Sequence, residues 1–270
     1  MSEILCSTGA LLGRGNNRDY RLLPALAREL RCDGFELMLY AAWYPEIGTL
    51  IRTLQSFRLH IPVLHCEKSI GEHISGGQGD EALRLFEVNC RAAQALGADR
   101  LVLHLWGGFP SDQHFERNMA AYPRLADLAE AHGLSLLIEN VVCNQCDPLT
   151  RLTELAQAYP DIRFVYDTKM AAFHQQNKRL YNPDCAWLAR HIRHCHVNDH
   201  AGGYMDWANL CTLPIGQGHV DFERFFRHLQ HTGYTGDFTV ESSACDQHGH
   251  IDTAMLNRQF KLIRNAFPTV

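Results

Sequence analysis

The sequence has no run of lysine or arginine, no uninterrupted apolar stretch of ~18 residues and no linker rich in Pro, Gly or Ser. With a formal net charge of -5, the first absence leaves no basic surface of the kind that holds a polyanion, so no nucleic-acid partner is expected. The second excludes a membrane-spanning helix. Residues 1–12 also lack the basic start and apolar centre of a secretory signal, which predicts a soluble, cytoplasmic protein with no membrane partner. The third leaves no domain boundary and predicts a single domain over residues 1–270. A Gly-x-Gly-x-x-Gly turn is missing after the first apolar run, where the chain reads Cys6-Ser-Thr-Gly-Ala-Leu-Leu-Gly13, and this counts against a doubly wound dinucleotide fold. Ten cysteines in 270 residues are too few for a disulfide scaffold. Cys32, Cys66, Cys90, Cys195 and Cys211 lie in apolar segments and are expected to be buried thiols. Cys143 and Cys146 form one Cys-x-x-Cys, and without a second pair it is expected to pack a loop rather than bind zinc.

What is present is alternation. Short runs rich in Ile, Val, Leu and Phe, at 3–8, 33–39, 60–66, 99–105, 134–140, 162–167, 194–199 and 237–242, are separated by segments of helical periodicity. Asp80 is placed to cap a helix running to Leu96, with Gly97 to end it. Asp147-Pro148 and Asn182-Pro183 read as a cap followed by a first-turn proline, Gly133 and Gly233 close helices, and Asp221 opens one over Phe222 to Thr232. Eight such units predict an α/β fold, a (β/α)8 TIM barrel, for which ~250 residues are typical. A doubly wound open sheet is the alternative.

Four of the runs end in polar residues: Glu139, Asp167, His196 and Glu241. Asp167 follows Glu139 by 28 residues, His196 follows Asp167 by 29, and Glu241 follows His196 by 45. In a barrel the C-terminal strand ends share one mouth, so three carboxylates and an imidazole would meet there. Carboxylates brought together repel one another and need a cation to remain ionised. The four are therefore expected to bind one divalent metal, with Mn, Mg, Co and Zn all compatible with this donor set. Glu36, His65 and His104 are placed at the ends of strands two, three and four, and Lys169 follows Asp167; all four are candidate substrate-binding residues. Trp106 is a candidate apolar wall. Asp199 opens an irregular segment to Gly218, longer than most βα connections and so expected to be functional, and it joins the substrate-binding candidates.

The landmarks Glu139-Asn140, Asp167-Thr168, His194-x-His196-x-x-Asp199, Ile215-Gly-Gln-Gly-His-Val-Asp-Phe222 and Val240-Glu241, in this order, resemble those of the xylose isomerase-like TIM barrels. That superfamily, which also carries the name AP endonuclease family 2, includes sugar phosphate isomerases and epimerases and endonuclease IV. The resemblance implies that Glu139, Asp167, His196 and Glu241 bind the metal and that Glu139 and Glu241 also move protons. It implies a metal-dependent sugar, sugar phosphate or keto-polyol isomerase or epimerase of carbohydrate metabolism, working through a metal-bound enediolate. The expected partner is a small sugar or polyol, with a homo-oligomer left open. One departure is Met170, where the family commonly has a substrate- or metal-contacting His; Lys169 or His174 is a candidate replacement. A dehydratase or lyase using the same enediolate is the nearest alternative. An endonuclease IV-like phosphodiesterase would need ligands that Met170 and Met205-Asp-Trp-Ala208 do not supply, and a non-catalytic sugar-binding barrel is the third class.

Overall fold

Seven of the apolar runs contain a strand, and the run at 194–199 overlaps one that starts and ends two residues earlier: β1 (Ile4–Ser7), β2 (Gly34–Met38), β3 (Val63–His65), β4 (Arg100–Leu103), β5 (Ser135–Glu139), β6 (Arg163–Asp167), β7 (Ile192–Val197) and β8 (Asp237–Val240). The computed structural model describes residues 2–268, so residue 1 and residues 269–270 of the expected span lie outside it. The strands close into one parallel barrel in the order β1 to β8. Their side chains are buried on both alternations, as β3 and β8 show throughout, because helices cover one face and packed side chains fill the other. Register aligns the ends of β2 with β3 and of β7 with β8, where Met38 pairs with His65 and Val197 with Val240, while Glu139 at the end of β5 pairs with Val165, two residues before the end of β6.

The helices are α1 (Thr8–Leu11), α2 (Leu23–Glu29), α3 (Ile47–Phe57), α4 (Ser69–Ser75), α5 (Gly79–Leu96), α6 (Phe115–Ala131), α7 (Pro148–Ala158), α8 (Thr168–Phe173), α9 (Phe222–His231) and α10 (Thr253–Ala266). Asp147 Oδ1 accepts the Thr150 N–H at 2.8 Å ahead of Pro148, and Asp221 Oδ1 accepts the Arg224 N–H at 3.0 Å. Both caps are as expected. Asp80, by contrast, lies inside the first turn of α5, where its charge favours the helix dipole, and Gln78 holds the cap position. Asn182 stands before Pro183, but its side chain makes no cap bond, and the turn that follows, Pro183–Arg190, is 3-10 helical. The β6–β7 connection thus has only the six-residue α8 and 3-10 turns where a full helix was expected.

The chain divides into two compact units, Met1–Phe35 with Tyr166–Val270, and Glu36–Val165. In the first, α9 buries Phe222, Phe225, Phe226 and Leu229, and Phe225 stacks on Tyr166 with ring centroids 5.8 Å apart. In the second, Phe86, Leu101 and Ile138 are fully buried. Among the described residues all ten cysteines are free, and no helix is long and apolar enough to cross a membrane. Cys66, Cys90 and Cys195 are buried as expected, whereas Cys32 is half-buried and Cys211 is exposed, because it lies in the irregular segment after β7 rather than in a strand or helix.

Candidate active site

In the unit 36–165, Glu139 is the last residue of β5 and is 1 % exposed. His104, immediately after β4, places Nε2 2.8 Å from Glu139 Oε2, and His65, the last residue of β3, places Nε2 3.2 Å from the same oxygen. Burial pushes the His104 imidazole down to about 4, against the opposing pull of Glu139, so the ring is neutral at pH 7 and its Nε2–H donates to the carboxylate. His65 differs. Its Nδ1 lies 2.8 Å from the Cys66 carbonyl, which can only accept, so Nδ1 holds the proton and a neutral ring turns a lone pair toward Glu139. That contact becomes attractive when a proton or a cation lies between the two atoms. Donor atoms of His65, His104 and Glu139 lie within 4.8 Å of one another, a buried cluster that could hold a metal.

Other candidates in this unit are placed differently. Glu36 is buried but stands two residues before the end of β2 rather than at it. Trp106 is fully buried, donating its indole N–H to the Val142 carbonyl at 3.2 Å and meeting Phe115 edge to face. Gly71 of α4 packs directly on the His104 main chain: a Cβ there would lie 2.3 Å from the His104 carbonyl oxygen. Cys143 and Cys146 lie in a loop held by Asp112, which accepts the N–H groups of Asn144, Gln145 and Cys146 at 2.8, 2.9 and 2.9 Å and pairs with Arg151 at 2.9 Å. Burial pushes the Cys143 thiol well up, away from the thiolate that metal binding needs.

In the unit 1–35 with 166–270, Asp167 ends β6 and both its oxygens are engaged. Oδ1 accepts the Met170 N–H at 2.7 Å, capping α8, and Oδ2 accepts Asn198 Nδ2 at 3.3 Å. The same Asn198 Nδ2 donates to Glu241 Oε2 at 3.2 Å, while Glu241 Oε1 lies 3.5 Å from His196 Nδ1. Asn198 is held in turn by Thr168, whose Oγ1 donates to the Asn198 carbonyl at 2.6 Å and accepts its N–H at 3.1 Å. Asp167, His196 and Glu241 are thereby brought into one polar knot. A neutral amide shared by two carboxylates leaves their repulsion uncompensated, so the donor set fits a cation. Sequence reasoning passed over Asn198, although it stands in the Val197-Asn198-Asp199 step of the β7 motif.

Asp199 serves the loop. Its Oδ2 accepts the N–H groups of Gly216 and Gly218, and its Oδ1 those of Val220 and His200, each at 2.9 Å, so both oxygens organise residues 213–220. His174 is buried beside Phe173, with Tyr204 6.4 Å away. Lys169 is 7 % exposed, and among the described residues its ammonium has neither a hydrogen bond nor an ion pair. The side chain of Met170, in the place of the expected histidine, is buried.

The model of the family described as "Xylose isomerase-like TIM barrel" matches residues 24–259. The chain belongs to this family. No curated protein matches the sequence. Among solved structures of this fold, a D-psicose 3-epimerase with D-tagatose from Clostridium cellulolyticum H10 has a TM-score of 0.72 at 11% identity, over 99% of this chain and 100% of that one. An IOLI protein with a bound zinc atom has a TM-score of 0.71 at 15% identity, over 98% of each chain. A D-allulose 3-epimerase from Methylomonas sp. in complex with D-allulose has a TM-score of 0.67 at 18% identity, over 98% of this chain and 97% of that one.

Proposed function

We propose that this family member is a divalent-metal-dependent isomerase or epimerase of a sugar or keto-polyol. The observation that carries the reading is the Asn198 amide shared by Asp167 and Glu241, with His196 beside Glu241. Three of the four metal ligands expected from the strand ends gather there. The fourth, Glu139, stands at the end of β5 in the same closed barrel, its carboxylate oriented by the His104 N–H, with His65 Nε2 3.2 Å from the same oxygen. Glu139, Asp167, His196 and Glu241 would hold the ion. When bound, a divalent ion supplies the Lewis acidity that polarises a ketose carbonyl and makes the neighbouring C–H more acidic.

The remaining chemistry falls to side chains. One of Glu139 and Glu241 takes the proton from the carbon beside the carbonyl, leaving an enediolate and a new carboxylic O–H. For inversion the other enters the step protonated and gives its proton to the opposite face of that carbon, so the two carboxyl groups end with their protonation exchanged. For isomerisation the first returns its proton to the former carbonyl carbon while the adjacent hydroxyl proton passes to the former carbonyl oxygen, which moves the carbonyl. Neutral His104 holds Glu139 in place through its N–H. Lys169, buried and among the described residues without a hydrogen bond or ion pair, meets a substrate oxygen. His65, Glu36, Trp106, His174 and Asp199 complete the substrate pocket, Asp199 by shaping the loop from 213 to 220.

Incubating the protein with Mn and a panel of ketoses and keto-inositols in deuterated water tests this. Carbon-bound deuterium should appear and should be lost in Glu139→Gln and in Glu241→Gln. Exchange unchanged in both variants would remove their proton-transfer role, and exchange accompanied by loss of water would move the reading to a dehydratase.

A further inference from the structure

Apart from the proposed metal and proton-transfer residues, the unit 1–35 with 166–270 contains a cavity of about 660 Å³ lined by Lys178, His200, Gly202, Gly203, His219 and Arg224. Its volume is within the ~300–1,000 Å³ usual for small-molecule sites. His200 is 1 % exposed, and neither of its ring nitrogens has a hydrogen-bond partner. A neutral imidazole carries one N–H and one lone pair, so such a ring calls for a group that the protein does not itself provide.

The cationic groups around it are also without acceptors. Lys178 and Arg224 make no side-chain hydrogen bond or ion pair among the described residues, although the Arg224 guanidinium lies 4.3 Å over the Tyr181 ring. Stacking fixes the plane of the guanidinium and leaves its N–H edges available to an oxyanion. The acid on the lining, Asp221, already accepts the Arg224 main-chain N–H as a helix cap. Burial first, and then the positive charge of Lys169, hold the His200 imidazole below its ordinary value, against the opposing pull of Asp199 and Asp206. At Gly202 the backbone has φ +101°, and a Cβ would lie 2.7 Å from the His219 ring, so the main chain closes on that histidine only as glycine.

We infer that this cavity binds a phosphomonoester dianion, with Arg224 and Lys178 neutralising the phosphate and His200 donating to it. The phosphate belongs either to the sugar substrate or to a separate effector. The first case rests on the proposed isomerase activity; the binding itself does not.

The probe is inorganic phosphate, added to the full-length protein against chloride at equal ionic strength, with histidine ring resonances followed by NMR and assigned through His200→Gln. A saturable shift of the His200 resonance is expected, with the dissociation constant raised at least about tenfold in Lys178→Gln/Arg224→Gln and unchanged in the surface control Arg227→Gln, since charged hydrogen bonds of this kind contribute at least one decade. A response no larger than that to chloride, or an equal dissociation constant in the double variant, would overturn the inference. Two further arms separate the sources. If Arg224→Gln raises KM for a ketose phosphate while leaving kcat and the unphosphorylated ketose unchanged, the phosphate is the substrate's. If phosphate binds but Arg224→Gln alters turnover of neither sugar, it is the effector's. Saturable binding with no turnover of any sugar would support the cavity and count against the isomerase alone.

Discussion

His104 Nε2 lies 2.8 Å from Glu139 Oε2, and burial holds that imidazole at about 4, so the contact is a neutral N–H donated to a carboxylate. Such a bond aims the carboxylate without cancelling its charge, which suits the cation-binding and proton-transfer roles proposed for Glu139. Replacing His104 by Ala should lower the rate of deuterium exchange by about 10- to 100-fold, the usual effect of losing a group that orients a metal ligand. His104→Gln, which retains an N–H donor, should recover part of it. Equal rates in wild type and His104→Ala would show that Glu139 needs no such support.

Asn198→Ala removes the amide shared by Asp167 and Glu241. Metal affinity, measured by calorimetric titration with Mn, should fall by about 10- to 100-fold. Circular dichroism should remain that of the wild type, because Asn198 lies after β7 rather than within it. Unchanged affinity would place the ion elsewhere.

Gly71→Ala tests the packing behind His104. The added methyl would lie 2.3 Å from the His104 carbonyl oxygen, main chain that cannot swing aside, so α4 or the end of β4 must shift. Overpacking of this kind costs about 1–3 kcal/mol in urea unfolding. Exchange activity should fall with it, because the shift moves the imidazole that orients Glu139.

Asp112 gives a pH signature. Burial alone would raise its carboxyl, but the N–H donors of Gln145 and Asn144 and the Arg151 guanidinium outweigh it and hold it below the ordinary carboxylate value. A depressed folded value means that its contribution is complete above the unfolded value, ~4, and fades as pH falls through the lower folded one. Asp112→Asn should therefore cost about 1–3 kcal/mol at pH 7 by leaving buried N–H groups poorly met. The gap to wild type in unfolding midpoint should narrow steadily below about pH 4. A gap independent of pH would mean that the charge contributes nothing.

The strands, their number and the polar residues at four of their ends were legible in the sequence because their signals are local. Apolar runs, the Asp147-Pro148 and Asp221 caps and the glycine after α5 each depend on a few neighbouring residues, and the landmark order supplied the family. Only the tertiary structure decided what each polar side chain meets. Asp199 looked like a residue facing substrate, yet four amide groups, three of them from residues 216 to 220, engage both its oxygens. Asn198 looked like a spacer and proved to join Asp167 to Glu241. Asp112 carries no motif, and the main-chain N–H groups and the arginine that hold its carboxylate lie 32 to 39 residues away. Hydrogen-bond partners are set by which strand ends and loops the closed barrel brings together, and no window of neighbouring residues encodes that closure.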